Sequence, residues 1–222
     1  MSDKKASRES LLQSVPAAER SPTRAERTRE KILGAALDFL WTHPFRELNV
    51  GELMSATDVS RSAFYQYFGD LHDLMETLLA GLETKILDVA QPWFVGHGDP
   101  VEDLRASLRG LVDVCYQHGP VLRAVSEAAA EDEKLDKAWN GLLQRFDDAV
   151  AARIEHYQAA GLIRDLEARP IAVALNRMDA YFLIQAFGRR PRQSREAVLT
   201  AVQAIWCSTL FPESLESDHL SS

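Results

Sequence analysis

Residues 49–74 read NVGELMSATDVSRSAFYQYFGDLHDL, and this stretch decides the fold. Asn49 and Glu52 form a capping-box-like pair, which predicts the start of a short helix. A Thr-Asp pair interrupts that helix, and Ser60 then offers the N-cap of a second one. A longer helical pattern precedes both from about Arg24. Two short helices joined by a tight turn after a longer helix are the layout of a helix-turn-helix DNA reader.

The second short helix concentrates aromatic side chains, although the chain as a whole is only 8% aromatic. On a helix that starts at Ser60, Phe64 and Phe68 fall close together on one face. We expect these rings to pack inward. With Leu53 and Val59, Phe64 would form a small core that holds the two short helices at a steep angle.

The opposite face of the same helix is polar and predicts contact with DNA. Ser62 and Gln66 lie on this face, and Tyr65 projects from its flank. The start of the helix would present backbone N–H groups and Arg61 to a duplex.

Charge is distributed unevenly along the 222 residues, whose formal net charge is −8. That net charge argues against general polyanion binding. However, residues 1–68 carry 10 Lys+Arg against 9 Asp+Glu, whereas residues 69–222 carry 15 against 24. The asymmetry favours an N-terminal module that tolerates a polyanion and an acidic remainder that does not.

The rest of the chain is helical in period and shows no alternating strand pattern of useful length. We predict an all-α fold of about nine helices. Helix ends are expected at Pro44, at Pro92, at the His-Gly-Pro sequence that closes at Pro120, and at Gly161. Ser194 is expected to cap the last helix.

Several classes of protein lack support in the sequence. No apolar run approaches the roughly 20 residues of a membrane helix, and no signal peptide is evident. Cys115 and Cys207 are far apart, so a reducing, cytoplasmic setting fits best. The histidines lack metal-site spacing, and no GxSxG, Walker or dinucleotide-binding motif occurs. We therefore predict no metal, no cofactor and no catalytic residue.

Residues 49–74 resemble the DNA-binding signature of the tetracycline-repressor (TetR) family, in which a turn is followed by a Phe-Tyr-x-Tyr/His-Phe run. The matching positions are Val50, Leu53, Val59, Ser60, Phe64, Tyr65, Tyr67, Phe68 and Leu74. The resemblance implies a recognition helix at about 60–67 with phosphate contacts from Tyr65 and Tyr67. For Tyr67, partial core packing is a nearly equal alternative. The predicted DNA-binding residues are Arg27, Asn49, Ser60, Arg61, Ser62, Tyr65, Gln66 and Tyr67.

Three positions depart from the family pattern. Asp58 stands where Gly is usual, and we expect it to make a left-handed turn, which Asp tolerates. Ala63 replaces a common Thr, and Leu71 occupies the usual Lys position, so a phosphate contact is expected to be missing. An N-terminal arm can compensate through its arginines, which are Arg20, Arg24, Arg27 and Arg29.

The C-terminal part resembles the ethionamide-resistance regulator branch of that family at residues 174–179 and 204–206. In that branch an apolar tunnel runs between helices and an Asn contacts the ligand, which points to Asn176 and Trp206, with Asp179 where a second amide is common. Asn176 could equally bond a neighbouring helix, and the aromatic rings could be ordinary core. The predicted ligand-binding residues are Trp93, Phe94, Trp139, Phe146, Asn176, Asp179, Phe182 and Trp206.

These observations predict a DNA-binding transcriptional regulator, a repressor, that binds a palindromic operator as a homodimer. The expected partners are double-stranded operator DNA, a small apolar effector and a second copy, with no membrane. We expect a disordered leader over 1–22, a DNA-binding domain over 23–69, a ligand-binding and dimerisation domain over 70–212, and a flexible tail over 213–222. The alternative is a helical small-molecule-binding or enzymatic protein with a vestigial DNA-binding module.

Overall fold

The computed structural model describes residues 23–96 and 98–211. The predicted leader, including Arg20, and the predicted tail lie outside these residues. Within them the fold is all-α, as predicted, and the described residues form eight α-helices, close to the predicted nine. The helices are α1 (Arg24–Leu40), α2 (Val50–Ser55), α3 (Arg61–Tyr67), α4 (Leu71–Val95), α5 (Pro100–Ala128), α6 (Glu133–Ala159), α7 (Ala168–Phe187) and α8 (Arg195–Leu210), with a 3₁₀ turn (Phe45–Glu47) before α2.

Short polar caps define the first three helices. Thr23 caps α1 in a capping box with Glu26. Asn49 caps α2 and Ser60 caps α3, and both of these caps were predicted from the sequence. Because each cap satisfies backbone N–H groups that a helix start leaves unpaired, the chain can change direction twice within about a dozen residues.

A small core joins these helices. Ile32 from α1, Leu53 from α2 and Phe64 from α3 are almost completely buried in it, and Val59 packs against it. Leu74 of α4 belongs to the same cluster. The first turns of α4 are therefore packed with the helix-turn-helix region, and the expected domain boundary between residues 69 and 70 passes close to a shared core.

The expectation that Asp58 makes a left-handed turn is wrong. Among the described residues, only Gly161 has a positive φ, at 70°. The turn between α2 and α3 is instead supported by the Thr57 hydroxyl, which accepts a hydrogen bond from the Val59 N–H at 3.2 Å. Asp58 is exposed, with Oδ2 3.6 Å from Lys31 Nζ. Asp at this position therefore needs no unusual backbone conformation.

A second, larger core lies among the C-terminal helices. α5 is at its centre and contacts α1, α4, α6, α7 and α8. Gly119 allows the close approach of α5 to α7, since a Cβ atom there would lie 2.5 Å from the Phe187 carbonyl oxygen. α6 ends at Ala159 just before Gly161, and Ser194 caps α8, both close to the predicted positions.

The predicted end of a helix at Pro120 is wrong, because α5 continues through it to Ala128. Proline has no N–H to donate to the carbonyl four residues earlier, which is that of Tyr116. That carbonyl accepts a hydrogen bond from Arg192 Nη1 at 2.7 Å. A side chain from the α7–α8 loop thus supplies the missing donor, and the helix is maintained.

The predicted end at Pro92 is wrong for a related reason, because α4 continues to Val95. Next to the proline, Ser107 of α5 accepts a hydrogen bond from the Trp93 N–H at 3.1 Å and donates one to the Ala90 carbonyl at 3.3 Å. A neighbouring helix therefore provides hydrogen bonds where proline disturbs the ladder. In the part of the chain described, no helix has the length and apolar character needed to cross a membrane.

Candidate DNA-binding and ligand-binding sites

The outer face of α3 gathers four of the predicted DNA-binding residues. The side chains of Arg61, Ser62, Tyr65 and Gln66 are all exposed, with Tyr65 at 55%. Phe64, on the inner face, is completely buried. Because the buried ring anchors a helix of only two turns, its polar face is held in a fixed orientation toward solvent.

Two further predicted residues hold the starts of helices. Ser60 Oγ accepts a hydrogen bond from the Ala63 N–H at 3.2 Å. Asn49 Oδ1 accepts one from the Glu52 N–H at 2.8 Å, and Asn49 Nδ2 donates to Glu52 Oε2 at 3.0 Å. Both side chains are exposed, so a contact with DNA would come in addition to this capping role.

The remaining two predicted DNA-binding residues differ in their surroundings. Tyr67 is half-buried and packs against the small core, which agrees with the alternative of partial core packing. Arg27 is exposed on α1, as is Arg24. Arg29 is half-buried, and its guanidinium lies 5.4 Å from the centre of the Phe68 ring. The arm arginines within the described residues thus have different environments.

Arg123 joins the helix-turn-helix region to the C-terminal helices. This side chain of α5 is buried, and its Nη2 donates to the carbonyls of Leu40 at 2.6 Å and His43 at 3.2 Å. These two carbonyls belong to the C-terminal end of α1 and the turn after it, where a positive charge is favourable. Arg123 was not among the predicted residues, although a single charge inside the apolar run VLRAV was a usable signal.

A second contact reinforces this junction. The Trp41 ring, which follows α1, lies 4.8 Å from the Arg190 guanidinium and 5.1 Å from that of Arg192. Both arginines belong to the loop between α7 and α8. Cation–π attraction therefore links the end of α1 to the same loop that supports α5 at Pro120.

An apolar cavity of about 100 Å³ lies among α4, α5, α6, α7 and α8. Six of the eight predicted ligand-binding residues line it, together with leucine, isoleucine and valine side chains, Ser107 and Cys115. Those six are Trp93, Phe94, Phe146, Asn176, Asp179 and Trp206. The helices that bring them together are separated by up to a hundred residues in the chain.

Two predicted ligand-binding residues do not line this cavity. Trp139 lies along a surface groove with Tyr181 and Arg177, and Phe182 packs as a partly buried ring against the core. Both rings were selected for size and helical spacing, which do not identify the face of a helix that meets the cavity. Their role in ligand binding stays a prediction, and this cavity does not support it.

Asn176 reaches a neighbouring helix as well as the cavity. Its Nδ2 donates to Asp147 Oδ1 of α6 at 3.0 Å, and the buried Asp147 carboxylate also accepts two hydrogen bonds from Arg177 at 3.0 and 3.1 Å. This agrees with the alternative that Asn176 bonds a neighbouring helix. Asp147 was not among the predicted residues, because its role depends on the packing of α6 against α7.

Asp179 is the buried carboxyl group of the cavity, with 5% of its surface exposed. Its Oδ2 accepts a hydrogen bond from Trp206 Nε1 at 3.0 Å, whereas its Oδ1 is buried without a partner in the described structure. Burial raises the pKa of Asp179 to about 7, and the Trp206 hydrogen bond opposes this shift. Burial and the nearby Asp179 raise the pKa of the Cys115 thiol, which stays protonated.

Trp93 gives the cavity a second unpaired polar atom. Its Nε1 is buried and has no partner in the described structure. The Trp93 ring lies 5.8 Å from the Trp206 ring in an edge-to-face arrangement. A donor and an acceptor therefore remain available at the wall of a largely apolar cavity, which is the composition expected of a small-molecule site.

The sequence of this chain is similar to those of known transcriptional regulators. Residues 104–212 match the family model described as "Transcriptional regulator EthR, C-terminal domain". The HTH-type transcriptional regulator EthR of Mycolicibacterium smegmatis is 27% identical over 188 residues, which cover 81% of this chain and 84% of that protein. EthR of Mycobacterium tuberculosis is 26% identical over 186 residues, which cover 82% and 86%.

Solved structures share the fold. A TetR-family transcriptional regulator from Syntrophomonas wolfei aligns with a TM-score of 0.71 at 18% identity, covering 84% of this chain and 96% of that one. These relatives are transcriptional regulators rather than enzymes, which agrees with the prediction for this chain. The chain is thus similar to transcriptional regulators of the TetR family, and its C-terminal domain is similar to that of EthR.

Proposed function

We propose that this regulator is a homodimeric repressor that binds a palindromic operator and releases it when a small, largely apolar effector fills the C-terminal cavity. In this proposal residues 23–69 bind DNA and residues 70–212 bind effector and partner subunit. The observation that carries the proposal is the division of α3, because Arg61 and Tyr65 face solvent on a helix whose Phe64 is completely buried. This division lets the helix enter a major groove without losing its own support.

The residues of α3 would have separate roles at the operator. Arg61 has no hydrogen-bond or ion-pair partner among the described residues, so its guanidinium is available for the paired acceptors of a guanine. The Tyr65 hydroxyl would contact a phosphate, which sets position but not sequence. Ser62 and Gln66 lie on the same face, while Asn49, Ser60 and Tyr67 would support it, and Arg27 would add backbone contacts.

The proposed dimer uses α7 and α8. Each carries one large apolar side chain that is exposed in the single chain, Tyr181 at 71% and Ile205 at 41%. Packing the two helices against their symmetry mates would cover these side chains in a four-helix interface. A two-fold axis would place the two copies of α3 in successive major grooves, about 34–36 Å apart.

The proposed response to effector runs through α5. Leu122 lines the cavity, and the next residue, Arg123, bonds the carbonyls of Leu40 and His43. An effector larger than the present cavity must displace its walls, and a shift of α5 at Leu122 would move the anchor of α1. The effector would shift the DNA-binding equilibrium only by its differential affinity for the two arrangements.

Binding to the DNA that adjoins this protein's gene tests the DNA-binding role. Affinity should fall log-linearly with salt, with a slope of about −0.9 per phosphate contact. Arg61→Ala should cost about 1–3 kcal/mol, lost mainly through one base pair, whereas Tyr65→Phe should weaken binding to all sequences alike. Arg164→Ala, which removes an exposed charge from the α6–α7 loop, is the matched control and should leave affinity unchanged. Binding that does not respond to salt would contradict the proposal.

Sedimentation tests the proposed interface. Tyr181→Asp should shift the protein from dimer to monomer, because it places a charge where an apolar surface is covered. Leu162→Asp is the control, since Leu162 is also an exposed apolar residue, at 51%, but lies outside α7 and α8. Dimerisation that is lost equally in both variants, or in neither, would place the interface elsewhere.

A further inference from the structure

The unpaired oxygen of Asp179 gives the cavity a chemical preference. The carboxyl group lines an otherwise largely apolar space, and Trp206 Nε1 satisfies only Oδ2. Oδ1 is buried and has no partner in the described structure. An acceptor held in this way loses its hydration without replacing it, so the site favours a ligand that brings a donor or a positive charge.

The charged groups of the surrounding helices do not fill that role. Arg177 of α7 bonds Asp147 of α6, and Arg123 of α5 bonds the carbonyls at the end of α1. The other titratable group that lines the cavity is Cys115 of α5, a buried thiol that carries no charge. None of the ion pairs formed among the described residues includes Asp179.

Two other polar side chains of the cavity, Ser107 and Asn176, are already hydrogen-bonded, whereas Trp93 Nε1 is buried and unpaired in the described structure. The Ser107 hydroxyl accepts from the Trp93 N–H and donates to the Ala90 carbonyl. Asn176 donates to Asp147. Reorientation of Ser107 or Asn176 toward Asp179 would break an existing hydrogen bond, and Trp93 Nε1 makes no hydrogen bond to Oδ1, so Oδ1 has no internal partner in the described structure.

We propose that the effector is an amphipathic cation, an apolar body with a protonated amine that pairs with Asp179 Oδ1. This inference rests on the proposed role of the cavity as the effector site. Trp206 bonds the carboxyl group, Trp93 packs edge-to-face against Trp206, and both indole rings line the cavity, where their faces can attract a desolvated cation. Burial raises the pKa of Asp179 to about 7, and a bound cation would lower it by stabilising the carboxylate.

Cavity size limits the apolar body. The space is about 100 Å³, somewhat less than the roughly 150 Å³ of an engineered cavity that holds benzene. A single aromatic ring with an aminomethyl group therefore fits with a small displacement of the walls. Benzylamine is a suitable probe, and benzyl alcohol has nearly the same shape without the charge.

Titration calorimetry of the full-length protein at pH 7.5 tests the proposal. Benzylamine should bind at least tenfold more tightly than benzyl alcohol. The variant Asp179→Asn keeps the size of the side chain and removes its charge, so it should reduce benzylamine affinity to the level of benzyl alcohol while leaving benzyl alcohol affinity unchanged. Asp148→Asn, which removes an exposed carboxylate of α6, is the control and should not alter the tenfold preference.

A measurement on the unaltered protein gives an independent result. Benzylamine affinity should fall several-fold between pH 8 and pH 6 as Asp179 is protonated, whereas benzyl alcohol affinity should stay constant. Equal affinities for the two probes at pH 7.5, or binding of neither probe, would overturn the proposal. If benzyl alcohol binds more tightly and releases operator DNA, the cavity remains the effector site but the effector is not a cation. If benzylamine binds as expected but leaves DNA binding unchanged, the cation site stands and the proposed repressor response fails.

Discussion

The helix-turn-helix region and the C-terminal cavity place polar groups in opposite environments. On α3, Arg61 and Tyr65 are exposed, and the cap that supports them, Ser60, bonds a residue only three positions away. In the cavity, Asp179 is buried, and its hydrogen-bond partner Trp206 is 27 residues away. The first region is therefore specified by local sequence, whereas the second depends on helices that meet only in the folded chain.

Arg61 and Arg123 show the same difference between an exposed and a buried polar group. Arg61 is exposed without a protein partner in the described structure, whereas Arg123 is buried and bonds two carbonyls about 80 residues away. A free guanidinium is suited to an external ligand, and a buried, bonded one is suited to holding two regions together. This difference supports the proposed functions, in which α3 recognises DNA and α5 connects the DNA-binding region to the C-terminal helices.

The largest expected effect concerns the burial of Asp179. Its pKa is about 7 in the folded protein and 3.8 for an ordinary aspartate, so the folded state binds the proton more tightly. The resulting stabilisation is complete below pH 3.8 and is lost as the pH rises to about 7. Between pH 5 and pH 8, the free energy of unfolding should fall by about 3 kcal/mol more in the unaltered protein than in Asp179→Asn.

Urea unfolding of both proteins at the two pH values measures this difference, because the other titrating groups cancel in the comparison. Equal pH dependence of the two proteins would mean that Asp179 is effectively solvated. The contrast between an exposed recognition face and a dry cavity would then fail.

A smaller effect on the free energy of unfolding is expected when a glycine is replaced by alanine once in each region. A Cβ atom at Gly119 would lie 2.5 Å from the Phe187 carbonyl oxygen, so Gly119→Ala must push α5 from α7 and should cost about 2 kcal/mol. Gly34 of α1 has no atom within 4 Å of its Cβ position, and Gly34→Ala should stabilise by about 0.5–1 kcal/mol. Thermal unfolding measures both changes, and two changes of the same sign would contradict the assigned close approach.

The N-terminal region could be predicted from the sequence in considerable detail. The caps at Asn49 and Ser60 and the inward Phe64 follow from hydrogen-bonding and helical-angle rules that act over three or four residues. The exception was Asp58, whose turn needs no positive φ. The family pattern suggested a glycine-like backbone there, but this chain makes the turn with ordinary dihedral angles.

The C-terminal region could be predicted only in outline. Pro92 and Pro120 carry the ordinary signal for a helix end, but Ser107 and Arg192 supply hydrogen bonds from elsewhere in the fold, so the helices continue. Trp139 was likewise predicted to bind ligand because its ring is large, but the packing of α6 places it along a surface groove. In each case a contact between distant parts of the chain determines the structure, and such a contact cannot be predicted from a local sequence pattern.

The smallest expected effect on stability comes from replacing either of two serine caps. Ser60 Oγ accepts from the Ala63 N–H at 3.2 Å, and Ser194 Oγ accepts from the Ala197 N–H at 3.4 Å. Ser60→Ala and Ser194→Ala should each lower the free energy of unfolding by about 1 kcal/mol, because each leaves a helix N–H unpaired. Only Ser60→Ala should also weaken operator binding, because α3 has seven residues and fraying of its first turn displaces Arg61. Unfolding curves and DNA titrations of the two variants measure both quantities, and an equal loss of DNA affinity would show that recognition depends on the whole chain rather than on the local structure of α3.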